Sequence, residues 1–132
     1  MVPNSPTAMG SKKQLWVGRI ISVLPVLLLV FSGTMKLVRP AAVVEGLTHL
    51  GWPVRLALGL GILELACTAV YVIPQTAVVG AILLTGYLGG AIATHLRIGE
   101  PFFAQIILGV LVWLGLYLRD GRIRMLIPLR SE

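Results

Sequence analysis

Four apolar stretches, at about 16–37, 54–73, 76–95 and 101–118, leave this chain with few ways to fold outside a membrane. Each approaches the roughly 20 residues that a helix needs to cross the hydrocarbon core. The first carries no charge between Arg19 and Lys36, and the second is interrupted only by Glu64. Hydrocarbon offers no partner to backbone N–H and C=O groups, so such stretches must be helices that satisfy their own. The composition fits, with 57% of residues hydrophobic and 12% charged. A soluble domain carries about 25% charged residues, and so large a deficit cannot cover a water-facing surface. The fold class expected is all-α: an integral membrane four-helix bundle forming one domain over 16–118.

The boundaries are well punctuated. The polar MVPNSPTAMGSKKQ start has two prolines and no periodicity, and residues 1–15 read as a disordered cytoplasmic lead. No small-residue cleavage site follows the first apolar stretch, which therefore reads as a retained helix rather than a signal peptide. Pro25 should kink that helix, as membrane helices tolerate. Pro53 and Pro101 fall where helices begin, a place that does not need their missing N–H. Pro74 marks a tight, uncharged hairpin. The longest connection, VRPAAVVEGLTHLGW, places Ala42, Val43, Leu47 and Leu50 at the spacing of a short interfacial helix. Residues 119–132 form a basic cytoplasmic tail. Gly51-Trp-Pro53 is echoed by Gly99-Glu-Pro101, as two tandem helix pairs would require, although Glu64 then corresponds to Val112.

The formal net charge of +6 reflects orientation. Lys12, Lys13, Arg19, Arg119, Arg122, Arg124 and Arg130 lie on the side of the termini, against Lys36, Arg39, Arg55 and Arg97 on the other. That bias puts both termini in the cytoplasm and argues against nucleic acid as a partner. Cys67, the one cysteine, excludes an internal disulfide and a thiolate metal cluster. His49 and His95 are the two histidines, and one lies in a connection, which argues against a bis-histidine haem. No metal motif, phosphate loop or nucleophile–base pair is visible, so the chain reads as having no catalytic activity of its own. Trp16 and Trp52 suit the aromatic belt, and the Arg119–Arg124 run reads as a solvated, headgroup-facing end.

The residue that needs explaining is Glu64. It lies about nine residues into its helix, roughly 13 Å deep at 1.5 Å per residue. A charge there costs at least about 2.5–3.5 kcal/mol and should face the bundle with a partner. Ala57, Gly61, Thr68 and Tyr71 fall within about 60° of it on a helical projection, a face small enough for close helix approach. Side chains lean toward the N-terminus of their helix, so Glu64 leans away from the termini. Lys36 and His95, at the far ends of antiparallel neighbours, lean back toward it. Lys36, Glu64 and His95 form the candidate buried polar site, with Tyr87, Thr68 and Arg97 as secondary lining. The third helix should pack closely through Ala81, Thr85, Gly89 and Ala93, or through Gly86, Gly90 and Thr94. Three readings remain open: a ligand- or proton-linked site, an ion pair that only holds helices in register, and a neutral Glu64.

FSGTMKL at 31–37, LGWP at 50–53, GILELA at 61–66 and GYLGGAIATHLRIGEP at 86–101 together resemble the DoxX-like family of small four-helix bacterial membrane proteins. The resemblance covers nearly everything beyond the lead, and Lys36, Glu64 and His95 stand at its motif positions. It implies a location in the bacterial cytoplasmic (inner) membrane and an accessory role beside an oxidoreductase or stress-related complex. A quinone is the cofactor-like ligand it suggests. The partners it suggests are the lipid bilayer, a membrane or peripheral protein, and further copies of the chain. A small proton-coupled exporter using Glu64, and a membrane assembly factor with a structural ion pair, are the alternatives.

Overall fold

The computed structural model describes residues 12–126. The first eleven residues of the expected lead and the end of the basic tail, Arg130 included, lie outside them. Helix α1 runs Lys12–Val38, α2 Ala41–His49, α3 Ala57–Val72, α4 Ala77–Arg97, α5 Phe103–Arg119 and α6 Gly121–Leu126. Single 3₁₀ turns at Val54–Leu56 and Pro74–Thr76 lead into α3 and α4. The first helix thus starts at Lys12, and residues 12–15, expected in the lead, belong to it. Within the tail, α6 folds back on the bundle through Ile123, which is 2% exposed.

The four long helices form a ring in which α1 packs on α3 and α5, and α4 packs on the same two. Three spans, Lys12–Val38, Val54–Val72 and Pro74–Arg97, are long and apolar enough to cross a membrane. Helix α5, with 17 residues, is shorter and meets the lower limit of about 17 for a crossing helix. The outward faces carry Ile20, Leu24, Leu27, Phe31, Ile62, Leu83, Ile107 and Val110, all exposed. An apolar exterior of this kind is stable only against lipid. The chain is an integral membrane protein.

Packing relies on small residues, since lipid is as apolar as leucine and close backbone approach must supply the attraction. Helix α1 buries Gly18, Ser22, Pro25, Leu29 and Gly33, a stripe spaced three or four residues apart. Gly33 meets Gly61 of α3, where an added Cβ would stand 2.8 Å from the Gly33 carbonyl oxygen. The α4 glycines behave differently from expectation. Gly80 packs against the Tyr71 backbone, whereas a Cβ on Gly86, Gly89 or Gly90 would meet nothing within 4 Å. Those three leave space beside α4 and close none.

The sequence echo corresponds to two equivalent turns. Gly51 (φ 84°) and Gly99 (φ 75°) both take the left-handed conformation that glycine adopts without a Cβ clash. After α2, the Gly51 N–H donates to Thr48 and the Trp52 N–H to Leu47. After α4, Gly99 donates to Leu96 and Glu100 to His95. Both are the two-bond helix stop in which C′ and C″ satisfy the last carbonyls. Arg97 donates to the Leu50 carbonyl, and His49 Nε2 lies 2.5 Å from Glu100 Oε1, tying the two turns together.

Candidate functional site

The face of α3 predicted around Glu64 is the one the bundle buries: Ala57, Gly61, Glu64, Cys67, Thr68 and Tyr71. The Gly33–Gly61 contact brings α1 close enough for Lys36, in its last turn, to reach across. Lys36 Nζ donates to Glu64 Oε1 at 2.8 Å and to Ser32 Oγ, one turn back on its own helix, at 2.7 Å. From α4, the Tyr87 hydroxyl donates to the same Glu64 Oε1 at 2.6 Å. The Glu64 side chain is 1% exposed and that of Lys36 18%. The carboxylate therefore sits in the dry interior, held by one cation and one neutral donor, both on Oε1. Glu64 Oε2 is buried without a partner among the described residues.

The remaining predicted residues divide. His95 borders the same space, but its Nδ1 lies 2.7 Å from the Ala91 carbonyl of its own helix and it joins neither Lys36 nor Glu64. The expected meeting of three titratable groups is thus a meeting of two, because a helix offers a histidine near its end a backbone acceptor one turn away. Thr68 is buried but donates to the Glu64 carbonyl at 2.7 Å, inside its own helix. Arg97 is held at the Leu50 turn. Neither lines the site. Tyr87, expected as secondary lining, is a direct partner of the carboxylate.

Beside this pair lies a cavity of about 500 Å³. Its walls are mostly apolar, from Leu28, Leu29, Leu60, Leu63, Leu88 and Leu108, and Leu47, Leu50 and Trp52 of the α2 region also line it. The open side of α4 at Gly86 and Gly90 makes the room. Gln105 of α5 borders it too, and its side-chain oxygen is buried without a partner among the described residues. Sequence reasoning missed Ser32 and Gln105. The available signal was the scarcity of polar side chains in these helices, which makes each one a question.

A second polar cluster, also unforeseen, ties the end near the termini. Tyr71, fully buried, donates to the Val112 carbonyl at 2.6 Å and lies 3.3 Å from Ser22 Oγ. Arg119 donates from Nε to Ser22 Oγ at 3.1 Å and sits 4.9 Å from the Tyr71 ring centroid. Arg124 donates to the Tyr117 and Leu118 carbonyls at the end of α5. Within the Arg119–Arg124 run, Arg119 and Arg124 thus turn onto the bundle, while Arg122 stays exposed as a solvated end requires. Outside the spans, Asp120 caps α6 by accepting the Arg122 N–H at 2.9 Å. The hydrogen-bonded Arg122 guanidinium holds the Asp120 carboxyl below its ordinary range. Leu84, Leu88, Val112 and Leu116 are buried in the apolar core.

Comparison with known proteins adds a decisive match: the model of the DoxX-like family fits residues 20–117, most of the chain. The chain belongs to the DoxX-like family. No curated protein and no solved structure matches it. The matched span of this DoxX-like protein contains Lys36, Glu64, Tyr87, His95 and Gln105 together, and so encloses the whole cavity lining. It also takes in Ser22 and Tyr71 and stops just short of Arg119.

Proposed function

We propose that this DoxX-like protein is a non-catalytic membrane subunit or accessory protein that holds a small amphiphile in the cavity beside Lys36 and Glu64. The observation that carries this reading is an apolar space of about 500 Å³ that ends on a buried ion pair. Small-molecule sites have this character: roughly 300–1,000 Å³, mostly apolar, with a few fixed polar groups. Lys36, Glu64 and Tyr87 fix the polar end and the leucines take the apolar part. A quinone-like molecule has suitable proportions. The bias of basic residues supports a bacterial inner-membrane location with both termini cytoplasmic. Association with an oxidoreductase or stress-related complex is supported by the family likeness.

The exporter reading makes Glu64 a titrating carrier. Against it stands the resident ammonium at 2.8 Å, which pairs the carboxylate before any proton arrives. The assembly-factor reading needs the ion pair but gives the cavity no task. The test is to purify the protein in mild detergent and identify co-purifying lipophilic molecules by native mass spectrometry. A bound amphiphile that is lost in Leu63→Trp, which fills the cavity from its wall, supports the proposal. A wild-type protein that carries nothing and binds no added quinone or lipid saturably refutes it.

A further inference from the structure

We propose that the amphiphile held in this cavity has an uncharged head bearing a hydroxyl group, which it uses as a hydrogen-bond donor. This rests on the cavity being a ligand site and names the chemistry it selects. The argument starts from the His95 ring. The carbonyl oxygen of Ala91, 2.7 Å from Nδ1, can only accept, so Nδ1 carries the proton. In the neutral ring Nε2 is then an acceptor. Among the described residues it has no partner, and the ring borders the cavity.

Two more acceptors share that condition. Glu64 Oε2 and the Gln105 side-chain oxygen are both buried with no hydrogen-bond partner among the described residues, and both residues border the same space. On the donor side, Lys36 has three N–H groups, of which Ser32 and Glu64 take two. Tyr87 spends its only O–H on Glu64. The cavity therefore offers three unpaired acceptors, beside spare donors on Lys36, the Ser32 hydroxyl and the Gln105 amide. A head built only of acceptors, such as a ketone, an ester or a fully oxidised quinone, answers those donors and leaves every acceptor unpaired. A hydroxyl both accepts and donates, and so answers both.

Charge narrows the class further. The Lys36 ammonium and the Glu64 carboxylate cancel, and both are largely out of water. A carboxylate, phosphate or ammonium head would add a net charge to a low-dielectric space with nothing left to neutralise it. Alcohols and phenols meet both conditions, hydroquinones among them.

The experiment titrates 4-octylphenol and 4-octylanisole, which differ by one methyl on the head oxygen, into the protein in nanodiscs by calorimetry, against protein-free discs. Saturable phenol binding with the anisole at least about tenfold weaker is expected, the scale of one hydrogen bond. Octanoate should bind more weakly than the phenol. In His95→Leu the phenol should fall toward the anisole while the anisole is unchanged. Equal affinities in the wild type would overturn the inference and leave the cavity a ligand site of another selectivity. If the phenol preference survives intact in His95→Leu, the assignment to His95 is wrong. If neither compound, nor an added quinone, binds saturably, the ligand-site reading falls as well.

Discussion

Replacing Lys36 with methionine keeps the length and apolar stem of the side chain and removes only its charge. The partner left behind is the informative one, since Glu64 is 1% exposed and its Oε1 is 2.8 Å from the lost ammonium. At an effective dielectric of about 20, that separation corresponds to roughly 6 kcal/mol of attraction. Desolvation of both ions offsets much of this in the intact protein. When one ion is removed, the other keeps its desolvation cost and loses its compensation, so the single variant should lose about 3–5 kcal/mol. Replacing both members, Lys36→Met with Glu64→Leu, removes both costs and should lie within a few kcal/mol of wild type, on either side. The assay is reversible denaturant unfolding in detergent micelles, completed as a double-mutant cycle. The double variant should then unfold near wild type yet carry no amphiphile, which separates the ligand role from helix registration. A Lys36→Met variant that loses less than about 1 kcal/mol would refute the reasoning, because Glu64 could not then be a buried ion that depends on Lys36. A double variant that folds and still holds the amphiphile would show that the pair only sets register.

Further outcomes follow from three places in the structure. Tyr87→Phe removes the 2.6 Å bond to a charged oxygen and should cost about 1.5–3 kcal/mol in the same unfolding assay. Gly61→Ala forces a Cβ to 2.8 Å from the Gly33 carbonyl oxygen and should cost about 1–3 kcal/mol. The same change at Gly59, where nothing lies within 4 Å, should be neutral or stabilise by up to about 1 kcal/mol. Asp120→Ala should loosen α6 by about 1 kcal/mol, the loss of a helix cap, read as faster amide exchange over 121–126. Because the folded Asp120 carboxyl titrates below its ordinary 3.8, its contribution is complete above that value and fades as pH falls through the lower folded value. Asp120→Asn should therefore flatten the acid limb of α6 stability, and an unchanged limb would contradict the assignment.

Much of the site was legible because a membrane makes polar residues scarce and costly. Glu64 in an apolar run had to be buried with a partner, and helical periodicity alone placed Ala57, Gly61, Thr68 and Tyr71 on its buried face. The lean of side chains along their helices pointed Lys36 at it. The same reasoning overreached with His95, because direction places a side chain near a site but does not choose among acceptors once it arrives. For His95 the Ala91 carbonyl was nearer in sequence and always present. Thr68 was likewise taken by a carbonyl one turn away, whereas Arg97 reached the distant Leu50 carbonyl across the two turns.

The rows of small residues in α4 show the limit most clearly. Gly80, Gly86, Gly89 and Gly90 look alike in sequence, since each permits close approach. Only Gly80 is used for it, while the others face open space, Gly86 and Gly90 leaving room beside the ion pair. Ser22 and Arg119 meet across ninety-seven positions of chain, a pairing that no local pattern announces.

The amino-acid order by itself determined the solvent, the helices and the need to bury one carboxylate, because hydropathy and periodicity act within a single segment. Which donors reach that carboxylate, which glycines close contacts, and where a cavity remains were decided by tertiary structure. Those outcomes depend on how four rigid helices share one volume, and close packing of one seam leaves another open.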